Sequence, residues 1–197
     1  MKGLLFIVSA PAGTGKTTLV TMLVEEFSNV IRSISYTTRK KRPDEVDGQD
    51  YFFIDQDEFQ KRIQKGEFLE YAEVFGNYYG TSKKYVEEKR SLGQHVVLVI
   101  DTQGAMKLRD YEDAIFIFVR PPSMEEQRRR LQKRHTESSE AIEKRLSWAQ
   151  DELQVAKDYD YQIINDDLKV AYEVLKSIII AEEHRTCHFR QFSTKKG

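Results

Sequence analysis

The chain has 197 residues, of which 40% are hydrophobic and 32% charged, and its formal net charge is −1. This length allows one sizeable core, or one core with a small inserted lobe, and the balanced charge gives no global sign of a nucleic-acid partner. No apolar stretch approaches the roughly 20 residues of a membrane span, so we expect no membrane partner either. The single cysteine, Cys187, excludes an internal disulfide and is typical of a reducing compartment, so we expect a cytoplasmic protein.

The N-terminal stretch predicts a strand, a glycine-rich loop and a helix. Residues 4–8 are continuously apolar, which predicts a strand buried on both faces, and apolar residues recur at helical spacing between positions 19 and 27. The glycines between them let several backbone N–H groups point at one anion, and a helix N-terminus adds partial positive charge. The sequence therefore predicts a loop that binds the phosphates of a nucleoside triphosphate. The loop comprises Ala10, Pro11, Ala12, Gly13, Thr14, Gly15, Lys16, Thr17 and Thr18.

Two side chains of this loop carry chemistry. Lys16 would reach the β- and γ-phosphates, and the Thr17 hydroxyl would ligate Mg²⁺. The usual pattern begins with glycine, whereas this chain has Ala10. The alternative is a glycine turn before a helix that carries a lysine by chance, and the flanking strand and helix disfavour it. The loop alone does not identify the reaction.

The segment 33–93 predicts a smaller lobe inserted into the sheet domain. Alternating and aromatic stretches at 51–53, 68–74 and 78–79 predict short, half-exposed strands, with a helix at about 57–65 between them. The cationic, hydroxyl-rich loop at 35–43 would hold a phosphate, because arginine forks fit phosphate bidentately. The alternative is a solvated basic loop. Gly93 is predicted to cap the helix that returns the chain to the core.

Later segments predict the rest of an α/β core. Apolar runs at 96–100, 114–119 and 161–164 each precede a turn and a helical pattern, which predicts a parallel sheet covered by helices on both faces. Ser123 begins a capping box, and a last helix is predicted at about 168–187. The charged stretch from Arg128 to Glu140 is interpreted as a mobile lid, with a solvated helix end as the alternative. The sequence thus predicts one domain over 1–197, with its core at about 1–32, 94–125 and 146–190, a lobe at 33–93 and a lid at 126–145.

Several motifs together resemble those of guanylate kinases of the bacterial, enzymatic kind. Besides the phosphate loop and the arginine-rich lid, they are Ser-Tyr-Thr-Thr-Arg-x-x-Arg at 35–42, Gly-x-Asp-Tyr-Phe-Phe at 48–53, Phe-Leu-Glu-Tyr-Ala at 68–72, Gly-Asn-Tyr-Tyr-Gly-Thr at 76–81, Ile-Asp-x-Gln-Gly at 100–104, Pro-Pro-Ser at 121–123 and Asn-Asp-Asp at 165–167. The resemblance covers nearly the whole chain and implies an α/β fold like that of P-loop NTPases. It also implies an inserted GMP-binding lobe, a helical lid, and the conversion of ATP and GMP to ADP and GDP with Mg²⁺.

The same resemblance implies a role for each matching residue. The catalytic residues would be Lys16, Arg42, Arg134 and Arg145. Arg130 and Arg134 would bind ATP, and the lid and hinge arginines would neutralise charge on the transferred phosphoryl group. The GMP phosphate would bind Ser35, Arg39, Arg42, Tyr51 and Tyr79, and the guanine would bind Glu70 and Thr81, with Asp101 nearby. Thr17 would ligate the metal directly, and Asp101 through water.

Glu70 has an independent chemical justification. Guanine presents adjacent N1–H and N2–H donors, and one carboxylate accepts both, whereas adenine presents an acceptor at N1. The Thr81 hydroxyl would donate to guanine O6. The alternative for Glu70 is an exposed strand glutamate, and the alternative for Asp101 is a helix N-cap or turn aspartate.

The chain departs from the family pattern at three positions. Ala10 and Ala12 stand where members usually have Gly and Ser, and Val99 stands where members commonly carry an acid. Two rival functions are a non-catalytic guanylate-kinase-like module and a phosphotransferase for adenylate or a small alcohol. A switch GTPase is disfavoured because no Asn-Lys-x-Asp motif occurs. Whether the protein is a monomer or a homodimer, and whether it accepts deoxy-GMP, stay open.

Overall fold

The computed structural model describes residues 2–111, 113–133 and 139–186. The strands are β1 (Leu5–Ser9), β2 (Val30–Arg32), β3 (Tyr36–Thr37), β4 (Phe52–Phe53), β5 (Phe68–Val74), β6 (Asn77–Ser82), β7 (His95–Val99), β8 (Ala114–Arg120) and β9 (Tyr161–Ile164). The helices are α1 (Lys16–Glu26), α2 (Gln56–Gln64), α3 (Lys83–Ser91), α4 (Thr102–Met106), α5 (Met124–Gln132), α6 (Ser139–Val155) and α7 (Leu168–Glu183), and a 3-10 turn spans Ala156–Asp158. None of the helices in these described ranges is long and apolar enough to cross a membrane.

The core is a sheet in the order β2-β7-β1-β8-β9, and its described pairings are parallel. Strand β1 is buried along its whole length because helices cover both faces of the sheet. Phe6 and Val8 face one cluster, built with α1 and α7, whereas Leu5 and Ile7 face another, built with α3 and α4. Successive side chains of a strand point to opposite faces, so both faces of β1 must be apolar. The predicted fold class is confirmed.

A second, mixed sheet lies within the segment 33–93, in the order β4-β3-β6-β5. Strands β5 and β6 form an antiparallel hairpin, β3 joins β6 antiparallel, and β4 joins β3 parallel. Helix α2 covers this sheet through the buried ring of Phe59, whose centroid lies 4.5 Å from that of Phe68 and 5.4 Å from that of Tyr78. Aromatic packing of this kind gives a short sheet its own small core.

Some element boundaries differ from the expectation. Strands β2 and β3 were not predicted, because they have only three and two residues and show no alternation of their own. The last helix, predicted to extend to 187, ends at Glu183, and Cys187 lies outside the described residues. Helix α2 begins one residue early, since Asp55 caps it by accepting from the backbone N–H of Glu58. Gly93 has φ +84° and donates its N–H to the Arg90 carbonyl, as expected for the residue after a helix C-cap.

The parallel core sheet determines where a ligand would bind. In such sheets ligands bind beyond the carboxyl ends of the strands, where the connecting loops meet. The glycine loop follows β1, and Asp101 follows β7, which pairs with β1. The β5–β6 hairpin and helix α6 line the same cleft as these two loops.

Candidate functional site

The glycine loop is shaped by two residues in the left-handed region of backbone space. Gly13 has φ +82° and Gly15 has φ +87°, conformations that side chains rarely adopt. Thr14 closes the turn by donating its hydroxyl to the Pro11 carbonyl at 2.9 Å. Helix α1 begins directly at Lys16, so its first N–H groups are directed at the cleft.

Two side chains from distant elements brace this loop from behind. Asn165, which follows β9, donates its amide to the Thr14 carbonyl at 2.6 Å, and Gln127 of α5 donates to the Ala12 carbonyl at 3.0 Å. A Cβ atom at Gly15 would lie 2.6 Å from the Asn165 amide nitrogen, so a side chain there would force the brace to move. The loop is therefore fixed by tertiary contacts as well as by its own glycines.

The half-buried Lys16 side chain places its ammonium at the edge of the cleft. It donates to the carbonyls of Ala10 at 3.2 Å and Ile100 at 3.4 Å. Burial lowers the pKa of Lys16, and the carboxylates of Glu152 and Asp101 oppose that change. The lysine is thus held by backbone dipoles and by acidic side chains on two other elements.

Ala10 and Ala12, two of the departures from the family pattern, both have packing roles. The Ala10 methyl is 2% exposed and belongs to the core cluster of α1 and α7, while its carbonyl holds Lys16. Ala12 packs against the cluster that includes Leu131 of α5. Val99 likewise packs against the core cluster and lines the cleft. These three departures are apolar positions in the structure, and they remove no backbone group of the loop.

The two carboxylate oxygens of Asp101 have different surroundings. Oδ1 caps helix α4 by accepting the Gly104 N–H at 2.9 Å, which is the N-cap alternative considered from sequence. Oδ2 is buried and has no hydrogen-bond partner among the described residues. Burial raises the pKa of Asp101, whereas the Gly104 N–H and Lys16 lower it. An unpaired buried carboxylate oxygen beside a phosphate loop fits a hydrated divalent cation, which would satisfy it.

Glu70 is buried in the cleft and is not an exposed strand glutamate. Its side chain is 5% exposed, and Oε1 accepts the Thr81 hydroxyl at 2.6 Å across the β5–β6 hairpin. On its other side, a Cβ at Gly104 would lie 2.5 Å from Oε2, so α4 packs directly against the carboxylate. Burial raises the pKa of Glu70 to about 7, against the hydrogen bond from Thr81. Strand β6, through Thr81, and helix α4 thus hold the Glu70 carboxylate in one orientation.

Thr81 itself does not face the cleft as expected. It is fully buried and its one hydroxyl proton is donated to Glu70, so the proton predicted for guanine O6 is already engaged. In this structure Thr81 orients Glu70 instead of lining the cleft. Its contact with a base therefore stays a prediction.

The cationic loop holds its arginines through an internal carboxylate. Glu45 accepts from the Arg39 guanidinium at 2.7 Å and from the Arg42 backbone N–H at 2.9 Å. The Arg39 guanidinium also lies 5.4 Å from the centroid of Tyr51, whose ring meets that of Tyr79 edge-on. Arg42 is more exposed and approaches Glu45 at 3.8 Å. The arginines are thus arranged around one oxyanion, as two phosphate-binding guanidinium groups would be.

The predicted lid arginines differ in their surroundings. Arg145 of α6 lines the cleft, where its guanidinium lies 5.4 Å from the Phe75 ring centroid. Arg130 of α5 is bound elsewhere, to the Asn165 carbonyl at 2.9 Å and to Glu126 at 2.7 Å. Arg134 lies outside the described residues.

One cleft collects most of the predicted site. Thr17 and Thr18 are exposed at its edge, on the first turn of α1, and Ser35 is buried in its wall. Arg130 and Thr81 lie outside its lining. The cleft is lined by residues 10–18, Ser35, Arg39, Arg42, Tyr51, Glu70, Ala72, Val74, Phe75, Asn77, Tyr79, Val99, Ile100, Asp101, Arg145, Trp148 and Glu152.

Among the cleft residues to which the sequence analysis gave no role are Glu152, Trp148 and Phe75. Glu152 of α6 is 6% exposed and accepts the Thr102 hydroxyl at 3.3 Å, and burial raises its pKa to about 7. Trp148 and Phe75 meet across the cleft. The signal that would have found two of them is helical spacing, since Arg145, Trp148 and Glu152 recur at i, i+3 and i+7 and so share one face of α6.

Comparison with known proteins agrees with this geometry. The family model "Guanylate kinase" matches residues 2–182. A guanylate kinase of Protochlamydia amoebophila is 61% identical over 184 residues, which are 93% of this chain and 93% of that protein. One of Symbiobacterium thermophilum is 50% identical and covers 94% of this chain and 88% of its own. The crystal structure of guanylate kinase from Anaplasma phagocytophilum superposes with a TM-score of 0.80 at 37% identity and covers 94% of this chain and 89% of its own. This chain therefore belongs to the guanylate kinase family.

Proposed function

We propose that this protein is a guanylate kinase, an ATP:GMP phosphotransferase that forms ADP and GDP in the cytoplasm. The observation that carries the proposal is the buried carboxylate of Glu70, which lines the same cleft as the glycine loop. A phosphate loop binds many triphosphates, but a fixed buried acceptor opposite it selects a base with adjacent donors.

Guanine recognition follows from the protonation state of that acceptor. An ionised Glu70 offers two oxygens, which accept guanine N1–H and N2–H together. Thr81 keeps the carboxylate oriented through the 2.6 Å bond to Oε1. Adenine would present its N1 acceptor to a negative oxygen in a buried site, which is strongly unfavourable. The same contact thus binds one base and rejects the other.

The phosphate of GMP would bind at the cationic loop. Arg39 and Arg42 surround the Glu45 carboxylate, and a phosphate brings more charge and a third oxygen to the same guanidinium groups. Arg39 lies against the Tyr51 ring, which meets the Tyr79 ring, and the hydroxyls of both tyrosines would bind the same phosphate. Ser35 lines the same wall of the cleft.

Transfer requires positioning and neutralisation of charge and no general base, because the acceptor is already a phosphate oxyanion. An oxygen of the GMP phosphate forms the new bond to the γ-phosphorus while the bond to the β–γ bridging oxygen breaks, and that oxygen leaves with ADP. Lys16 and the loop N–H groups would bind the ATP phosphates, and Arg145, which lines the same cleft, would neutralise charge on the transferred phosphoryl group. Arg42, Arg130 and Arg134 would also contribute to phosphate binding.

Mg²⁺ is the proposed cofactor, and the residues present fit it. The orphaned Oδ2 of Asp101 suits a water of the metal's hydration shell, and the exposed Thr17 hydroxyl lies on the first turn of α1 beside the loop. When bound, the ion supplies charge neutralisation at the β- and γ-phosphates.

The test of the proposed function is an ADP-release assay with ATP and each nucleoside monophosphate in turn. We expect turnover with GMP and at least about a hundredfold lower efficiency with AMP, as for a site whose buried polar group would be left unpaired. Equal turnover with AMP would support the rival phosphotransferase. No turnover with any acceptor, together with retained GMP binding, would support the non-catalytic module.

Lys16→Ala should lower turnover by at least about a hundredfold, because a preorganised cation at the transferred phosphoryl group supplies roughly 3 kcal/mol of transition-state stabilisation. Steady-state kinetics with GMP would measure the loss, and circular dichroism would verify the fold. Lys169→Ala, which removes an exposed lysine of α7, is the matched control. Near-normal turnover of a folded Lys16→Ala protein would contradict the assignment of the loop.

Glu70→Gln should raise the KM for GMP by about tenfold or more and reduce the preference for GMP over AMP. The substitution keeps the size but places an NH₂ against a guanine N–H, which leaves a buried donor unpaired. Glu73→Gln on the exposed side of β5 is the control. If the GMP/AMP ratio were unchanged, another residue would have to read the base.

GMP binding should weaken as pH falls below about 7. The pKa of Glu70 is raised to about 7 in the free protein, chiefly by burial, and guanine requires the ionised form, so binding releases a proton. The apparent Kd should rise by up to about tenfold per pH unit below that value and level off above it. Because the phosphate of GMP also titrates near pH 6, calorimetry should compare the protein with Glu70→Gln, whose profile lacks the Glu70 contribution. Parallel profiles would rule out this linkage.

A further inference from the structure

The turn of the β5–β6 hairpin contains a residue that its backbone geometry disfavours. Val74 pairs with Asn77, so the loop consists of Phe75 and Gly76, and both have positive φ, at +50° and +76°. Two-residue hairpin loops with two positive φ values favour Asn-Gly, because asparagine and glycine adopt the left-handed region with little strain. A bulky aromatic residue there is an outlier that surrounding contacts must hold.

Those contacts come from helix α6 on the opposite side of the cleft. The Phe75 ring centroid lies 5.3 Å from that of Trp148, at an interplanar angle of 52°. The Arg145 guanidinium carbon lies 5.4 Å from the Phe75 centroid, and the Lys144 ammonium lies 5.8 Å from it. The ring thus meets an aromatic and two cations on one helix, although it remains 38% exposed.

These contacts join two parts of the cleft that have different tasks. The hairpin carries Glu70 on β5 and Tyr79 on β6, whereas α6 carries Arg145. We propose that Phe75 is a positioning residue. Its ring packs against Trp148 and binds the Arg145 guanidinium at the cleft, and these contacts fix the position of the guanine-binding hairpin relative to the phosphate-binding arginine. This inference rests on the proposed function for the identity of the reaction.

Phe75 can position Arg145 because the attraction between the ring and the guanidinium depends steeply on distance. A guanidinium is attracted to a ring face only within about 6 Å of its centroid, so displacement of the hairpin would remove this contact with Arg145. An arginine side chain has many rotamers. If they are restricted before the reaction, less conformational entropy is lost when the guanidinium binds the transferred phosphoryl group. Phe75 is therefore expected to affect catalysis through Arg145 and to have little effect on the affinity for GMP alone.

Phe75→Asn tests the proposal without disturbing the turn. Asparagine suits the positive φ, so thermal stability should be equal to that of the parent protein or higher. We expect kcat to fall about tenfold or more, while the GMP Kd from calorimetry changes less than about threefold. Trp148 is the only tryptophan, so its emission should shift when the neighbouring ring is removed, in the absence of any substrate.

Three further variants separate positioning from other effects. Phe75→Tyr keeps the ring and should retain kcat. Tyr71→Leu removes a ring of similar exposure, 36%, from the same hairpin but away from α6, and should leave kcat within about threefold. In an Arg145→Ala background, Phe75→Asn should lower kcat less than about twofold further, since its target is absent.

Two results would overturn the positioning role. One is an unchanged kcat in Phe75→Asn, and the other is an undiminished loss in the Arg145→Ala background, which would mean that the ring acts elsewhere. Identical Trp148 emission in the parent and in Phe75→Asn would overturn the proposed contact between the two rings, whichever nucleotide the enzyme phosphorylates. A parent protein that does not phosphorylate GMP would instead contradict the proposed function.

Discussion

Burial of charge is the constraint on which the site depends. Lys16, Asp101 and Glu152 lie together where the β1 and β7 loops meet α6, and burial lowers the pKa of the lysine and raises the pKa of each acid. Each charged form is therefore favoured by its opposite, and the ammonium also donates hydrogen bonds to two backbone carbonyls. Charges held in such surroundings act on a phosphate far more strongly than charges in water, and they need little reorganisation when the reaction occurs.

The parallel sheet makes this concentration of charge possible. Residues remote in sequence meet because neighbouring strands end at the same edge, with the glycine loop after β1 and Asp101 after β7. The loop is then fixed from outside the sheet by Asn165 and Gln127, which occupy the carbonyls of Thr14 and Ala12. With these carbonyls satisfied, the loop can present its N–H groups to a ligand without exposing unpaired acceptors.

Local patterns in the sequence predicted the core strands and the phosphate loop, because both depend on short-range chemistry. Continuous apolar runs require burial on both faces, and glycine followed by a lysine at a helix start has few other uses. What local patterns did not predict are pairings between remote segments. Strand β3 exists because β6 and β4 pair with it, and the Thr81 hydroxyl turns inward because Glu70 is buried opposite it. Helical spacing marks Glu152 as sharing a face with Arg145 and Trp148, but only the fold shows that its partner is Thr102 on another helix.

Carboxylates and hydroxyls of the protein already occupy the binding groups of the site. A ligand must therefore displace or complement these internal partners, which gives the site a physical basis for selectivity. Glu45 occupies Arg39 and Arg42, so an incoming group must interact with these arginines more strongly than a carboxylate does. A phosphate does so through its higher charge and additional oxygens, whereas a nucleoside without phosphate cannot replace Glu45. Glu70, which lines the same cleft, already accepts one hydroxyl, and the two adjacent donors of guanine would satisfy its remaining lone pairs. A ligand that meets only one condition would gain only one of these two sets of contacts, because a nucleoside would leave Arg39 and Arg42 with Glu45, and an adenine nucleotide would leave Glu70 without two donors.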